Sequence, residues 1–275
     1  MQRALAVNAG ICPPPQCDKR SEPLATGINY VTARELPIAD TGPKSKLFEL
    51  VCKHPWVFCP HPIFMRLTHE EPKFDTITPK ILYFGNPVAL ISSVNEDGTP
   101  NLAPISSFWA LGWTMTLGLL SDTKTLKNLE MRPECVINVP SPDLWRQVEA
   151  LAPLTGRNPV PEDKSDKFRF EKDKFAAGSF TQLASEVVSV PRVKECPVQL
   201  EAITRSIRPL VGEPRVHKLG GAASVEVEIL RVHVRREFIT GEHYIDPEKW
   251  QPLIYNFRHY FGLGDELGST FRAEV

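Results

Sequence analysis

The chain has 275 residues, 42% of them apolar and 24% charged, with a formal net charge of −1. Those values describe an ordinary globular protein that can bury a core without metals or disulfides as staples. They exclude a global basic field for nucleic acid or an anionic membrane surface, and no window approaches the roughly 18 apolar residues of a spanning helix.

The N-terminus, MQRALAVNAGICPPP, has one Arg and a short apolar run broken by Asn8 and Gly10. That is a poor secretory or transit signal, so the expected location is cytoplasmic. Six cysteines at positions 12, 17, 52, 59, 135 and 196 form no dense framework, and reduced thiols are the expectation in that compartment. Residues 1–65 read as an irregular extension. ICPPPQCDKRSEPLATG is proline-rich and polar, and LFELVCKHPWVFCPHPIF (47–64) is apolar but interrupted by Pro55, Pro60 and Pro62. Such a segment suits an extended arm lying on a folded body or a partner subunit. Cys52, His54, Cys59 and His61 form two Cys/His pairs with one intervening residue each, a poor match to structural zinc, so no metal is expected. Glu70 and Glu71 read as solvated loop carboxylates.

The folded domain reads as 66–275. KILYFGNPVALISSV (80–94) has the β-branched and aromatic content of a strand, broken at Gly85-Asn86-Pro87. EDGTPN (96–101) carries the Asp-Gly pair of a tight hairpin, and LAPISSFWALGW and TMTLGLLS read as two further strands. TKTLKNLEMRPE (123–134) is a helix with Leu126 and Leu129 on one face, followed by the strand CVINVPS (135–141). PDLWRQVEALAPLTG (142–156) opens with Ser141 and Pro142 as N-cap and first turn. Residues 158–175 read as a polar surface excursion with a short helix. VVSVPRV, CPVQLEAITRSIRPL, ASVEVEILRVHVRREF and a short piece near FITGEHYI read as strands, RVHVRREF with the look of an edge. DPEKWQPLIYNFRHYFGLG (246–264) predicts a closing helix, started by Asp246-Pro247-Glu248 and stopped at Gly262 or Gly264. Many short strands with few helices give a mainly β fold, an antiparallel barrel with peripheral helices.

Several signatures are missing: no GxGxxG follows a strand, no Walker A lysine loop occurs, and no GxSxG elbow is found. His217, His233, His243 and His259 have no neighbouring nucleophile and read as structural, with His243 in a loop left open. Two polar clusters remain. Strand alternation directs one of the Ser106 and Ser107 hydroxyls inward and the other outward. Ser121, Thr123, Lys124 and Thr125 sit at a strand end and helix start, where free N–H groups, hydroxyls and an ammonium can hold a phosphate. An ordinary N-cap explains the same residues and is the commoner meaning of that spacing.

Taken together, YFGNPVALISSVNEDGTPNLAPISSFWALGW and SDTKTLKNLEMRPECVINVPSPDLW resemble the flavin reductase-like family with its FMN-binding split β-barrel. PRVKECPVQLEA and DPEKWQPLIYNFRHYFGLG match later parts of such proteins, so the likeness spans roughly 79 to 264. The resemblance implies a Greek-key split barrel forming a homodimer with FMN at the subunit interface. It implies that the ribityl chain and isoalloxazine lie along Ala103–Ala110, contacting Ser106, Ser107, Phe108 and Trp109. The phosphate is expected near Ser121, Lys124, Thr125 and Asn128. It further implies electrons taken from NADH or NADPH, whose dinucleotide folds over the flavin, and passed to free flavin, a partner oxygenase or a small organic acceptor. Alternative expectations are a non-catalytic module binding FMN or haem, and an FMN enzyme of specialised metabolism whose N-terminal arm shapes the pocket. No nucleic-acid or membrane partner is expected.

Overall fold

The computed structural model describes residues 72–210 and 221–271. The arm expected over 1–65, its Cys/His pairs, Glu70, Glu71 and His217 lie outside the described residues. Seven strands form one sheet: β1 (Ala89–Val94), β2 (Pro100–Ile105), β3 (Phe108–Leu111), β4 (Thr114–Leu120), β5 (Glu134–Val139), β6 (Val198–Pro209) and β7 (Ala222–Val234). Their spatial order is β2-β1-β5-β6-β7-β4-β3, and every neighbouring pair is antiparallel. The two edge strands, β2 and β3, are consecutive in the chain and joined by Ser106 and Ser107 alone. Three Cα steps reach at most about 11 Å, so the sheet must curl until its edges nearly meet. The result is an antiparallel Greek-key split β-barrel with peripheral helices, as the resemblance implies.

Period-two alternation builds the interior. Met115, Leu117 and Leu119 of β4 face Val225, Val227 and Ile229 of β7 in one buried cluster. Leu126 and Leu129 of α1 (Lys124–Met131) join it, so this amphipathic helix plugs the barrel. Strand β1 is buried on both faces, which is why ALISSV lacks clean alternation. Its outer side, with Val88 and Leu90, packs on Val148 and Leu151 of α2 (Trp145–Leu151) and Phe175 of α3 (Lys174–Ala177). Each such side chain contributes about 1.5–3 kcal/mol on leaving water. Asn138 ties the two layers together. Its amide donates to the Leu90 carbonyl at 3.0 Å and the Ser92 hydroxyl at 2.9 Å, and its oxygen accepts from Val193 N–H at 2.8 Å.

Three sequence expectations are corrected. The closing helix over 246–264 is absent. Asp246 does cap one turn, accepting from the N–H groups of Glu248 and Lys249, but Pro252 cannot continue a helix. The period-two residues beyond it form the hairpin β8 (Ile254–Asn256) and β9 (His259–Phe261), with β8 also pairing Asn86–Pro87. LAPISSFWALGW is two strands on opposite edges of the sheet, because the Ser106-Ser107 link crosses the split. VVSVPRV is ladder-paired only at Arg192–Val193. The backbone donors of Glu186, Val187 and Val188 instead go to the carboxylate of Glu201, which is fully buried. The edge reading of RVHVRREF holds for its first half. Arg231–Val234 pair with β6, while β4 reaches only to Glu228.

Candidate functional site

The link across the split is locked to β4. Ser107 Oγ donates to the Gly118 carbonyl at 2.6 Å, and Gly118 N–H donates to the Ser107 carbonyl, also at 2.6 Å. A Cβ at position 118 would lie 3.0 Å from Ser107 Cβ, so glycine there permits the close approach. Beside this contact lies a groove of about 300 Å³, lined by Ser106, Ser107, Gly118, Thr123 and the tyrosines 83, 255 and 260. The rings of Tyr83 and Tyr255 meet edge-on at 5.6 Å, and those of Tyr255 and Tyr260 lie 5.7 Å apart. The groove thus has a polar rim on the barrel and an aromatic wall from Tyr83 and the C-terminal hairpin.

Pro104 and Thr123 also border a second, more enclosed cavity of about 160 Å³. Thr123 is the N-cap of α1: its hydroxyl donates to the Leu120 carbonyl at 2.8 Å and accepts from Leu126 N–H at 3.3 Å. Three lysines line this cavity. Lys124 is ion-paired with Glu96, and Lys164 with Asp122 at 2.6 Å. Lys174 is only 4% exposed and forms no hydrogen bond or ion pair with its ammonium among the described residues. Burial pulls that ammonium down from its ordinary 10.5 to about 8. A buried cation without a counter-charge is costly, and a cavity holding one is complementary to an anion.

The chain matches the Flavin reductase like domain over residues 81–264. It belongs to the flavin reductase-like family. A curated relative, the uncharacterized protein YdfE of Bacillus subtilis (strain 168), is 45% identical over 204 residues, which is 74% of this chain and 96% of that protein. Among solved structures, the chain is similar to the flavoredoxin of Desulfovibrio vulgaris (Miyazaki F), with a TM-score of 0.59 and 21% identity over 73% of this chain and 99% of that one. A flavin reductase-type protein with a split barrel domain from Shewanella frigidimarina superposes with a TM-score of 0.54 and 20% identity, covering 69% of this chain and 86% of that one. These two likenesses carry the fold. Family membership makes the chain a flavin-linked oxidoreductase.

The eight residues expected at a flavin site fall into six places. Ser106 and Ser107 line the groove. Lys124 and Thr125 line the second cavity; Thr125 Oγ1 accepts from Asn101 Nδ2 at 3.2 Å. Phe108 packs against the barrel core, whereas Trp109 is 60% exposed on the edge strand. Ser121 is at the surface, its N–H donating to the Gly221 carbonyl. Asn128 is buried in a polar network, with its amide donating to Ser93 Oγ and Asn95 Oδ1, both at 3.0 Å. Sequence reasoning missed Lys174 and the three tyrosines. Lys174 sits in EKDKFAAG, a charged run that looks solvated, and Phe175 beside it was the one sign that this turn docks into a core. Tyr255 and Tyr260 were hidden by the helical reading of the C-terminal segment, and Tyr83 lies in a stretch read only as a strand.

Proposed function

We propose that the chain binds FMN with its isoalloxazine in the groove beside Ser106 and Ser107 and its phosphate in the cavity with Lys174. The observation that carries this reading is the unpaired ammonium of the buried residue Lys174, set one shared wall away from a groove with a polar rim and an aromatic side. Thr123 and Thr125 add hydroxyls beside the phosphate position, and Lys124 and Lys164 add positive charge already partly balanced by Glu96 and Asp122. When bound, the flavin supplies two-electron redox chemistry, and the protein supplies orientation and electrostatics. Here the Ser107–Gly118 lock fixes the groove floor, the Ser106 hydroxyl faces the ligand, and Tyr83, Tyr255 and Tyr260 exclude water. The electron donor in this reading is NADH or NADPH, and the acceptor is free flavin, a partner oxygenase or a small organic molecule. The working unit is a homodimer: Trp109, Leu111 and Trp113 are 60%, 75% and 63% exposed on the β3–β4 hairpin, an apolar edge that a second copy would cover.

The test is the visible spectrum of the purified protein with FMN, repeated anaerobically after NADPH and then NADH. Flavin bands that shift on binding and bleach with one nicotinamide are the expected result. Bands that persist with both leave a binding module without reductase activity. A protein that takes up no FMN refutes the reading.

A further inference from the structure

The β8–β9 hairpin turns on two residues in left-handed backbone, Phe257 at φ 44° and Arg258 at φ 70°. Two-residue turns of this hand favour Asn-Gly or Asp-Gly, because side chains strain there. Strained backbone of this kind persists only where surrounding contacts hold it. Here Phe257 N–H donates to the Tyr83 carbonyl at 3.2 Å, and its ring meets Phe84 edge-on at 5.0 Å. The turn thereby sets Arg258 on the rim of a groove of about 490 Å³, distinct from the two cavities assigned to flavin. Trp145, Phe261, Pro142 and Leu253 give this groove apolar walls. Its polar groups are Arg258, His259 and Glu149. Glu149 accepts a hydrogen bond from the Tyr260 hydroxyl at 3.0 Å, so its carboxylate is engaged at one wall. His259 Nδ1 lies 3.0 Å from the Phe257 carbonyl. Arg258 forms no hydrogen bond or ion pair with a described residue.

We propose that this groove is a binding site for a planar aromatic carboxylate, its ring against Trp145 and Phe261 and its carboxylate on the Arg258 guanidinium. A guanidinium fork matches a carboxylate in a two-bond geometry that a point charge does not, and flat apolar walls suit a flat ring. Tyr260 borders both this groove and the flavin groove. The rings of Trp145 and Tyr260 lie 6.2 Å apart, so an aromatic partition runs from Trp145 through Tyr260 and Tyr255 to Tyr83. The ligand is therefore a second organic molecule bound next to the flavin; that placement rests on the FMN reading, whereas its binding to Arg258 does not.

The probes are 1-naphthoate and its neutral isostere 1-naphthamide, titrated calorimetrically into full-length protein. Parent protein is expected to bind naphthoate, and Arg258→Gln to bind it about tenfold more weakly or worse, with naphthamide binding equally to both. Trp145→Leu weakens both probes. FMN affinity, measured on the same preparations, is unchanged by either substitution. Failure of naphthoate to bind the parent, or equal binding by Arg258→Gln, overturns the proposal. Loss of FMN uptake by the parent with naphthoate binding intact overturns the flavin reading and leaves this groove standing.

Discussion

Lys174→Met separates the cost of the second cavity from its use. Methionine keeps most of the length and apolar volume of the lysine stem and removes only the ammonium. The folded protein holds that ammonium at about 8 against an ordinary 10.5. Below pH 8 both folded and unfolded chains carry the proton, so the desolvation cost is fully present. Between 8 and 10.5 the folded chain has released its proton while the unfolded chain still binds one, so stability rises with pH. Above 10.5 both are neutral and the cost has gone. A depression of this size corresponds to about 3 kcal/mol, a large share of the 5–15 kcal/mol typical of a domain.

Flavin-free Lys174→Met is therefore expected to be more stable than the parent by about 3 kcal/mol at pH 7, with the advantage shrinking toward zero by pH 10.5. Urea unfolding at the two pH values measures it, and comparison between variants cancels the other groups that titrate at high pH. Inorganic phosphate should stabilise the parent and leave the variant unmoved, because a ligand selective for the folded state stabilises it by mass action. FMN affinity should fall in the same variant that gains stability. A variant less stable at pH 7, or one with the same advantage at both pH values, would show that the ammonium is satisfied and that the cavity is not built for an anion.

Two further outcomes follow from other parts of the molecule. Glu201→Leu strands the N–H groups of Glu186, Val187 and Val188 and removes the 2.6 Å contact to His233 Nε2; the expected loss is about 3–5 kcal/mol. Glu201→Gln, which keeps an accepting oxygen, should lose less, and a Leu variant with an unshifted urea midpoint would contradict the assignment. Leu111→Lys on the exposed β3 edge should convert a dimer to monomer in sedimentation equilibrium without altering the monomer's far-ultraviolet circular dichroism, and an unchanged mass would place the subunit contact elsewhere.

Strand content was legible because period-two patterns in TMTLGLL and ASVEVEIL are long and uninterrupted, and because Asp97-Gly98 announces its hairpin. The same logic failed at IYNFRHYF. There, helix-start chemistry at Asp246 was real but local, and Pro252 ended what Asp246 began. It failed again at VVSV, whose strand-like composition is spent on wrapping Glu201, a long-range partner that no local window contains. Ser106 and Ser107 were found because a hydroxyl pair inside an apolar strand is conspicuous. Lys174 was not, since a lysine among Glu171, Lys172 and Asp173 carries no mark of burial until α3 is docked beneath α2.

That contrast bears on how the site works. The residues that sequence alone exposes, Ser106, Ser107, Thr123 and Lys124, belong to barrel segments and the helix start that closes them, and their positions follow from the sheet. The residues it hides, Lys174 and the tyrosines 83, 255 and 260, come from segments outside the seven-stranded sheet. The barrel supplies a rim with fixed hydrogen-bonding geometry, whereas the overlay supplies the unbalanced charge and the aromatic wall. Two chains with the same barrel can thus differ in ligand affinity and neighbouring-site chemistry through the overlay alone. In this chain the overlay also carries the strained Phe257–Arg258 turn, so one short hairpin contributes a wall to the groove beside Ser106 and Ser107 and a guanidinium to the neighbouring groove.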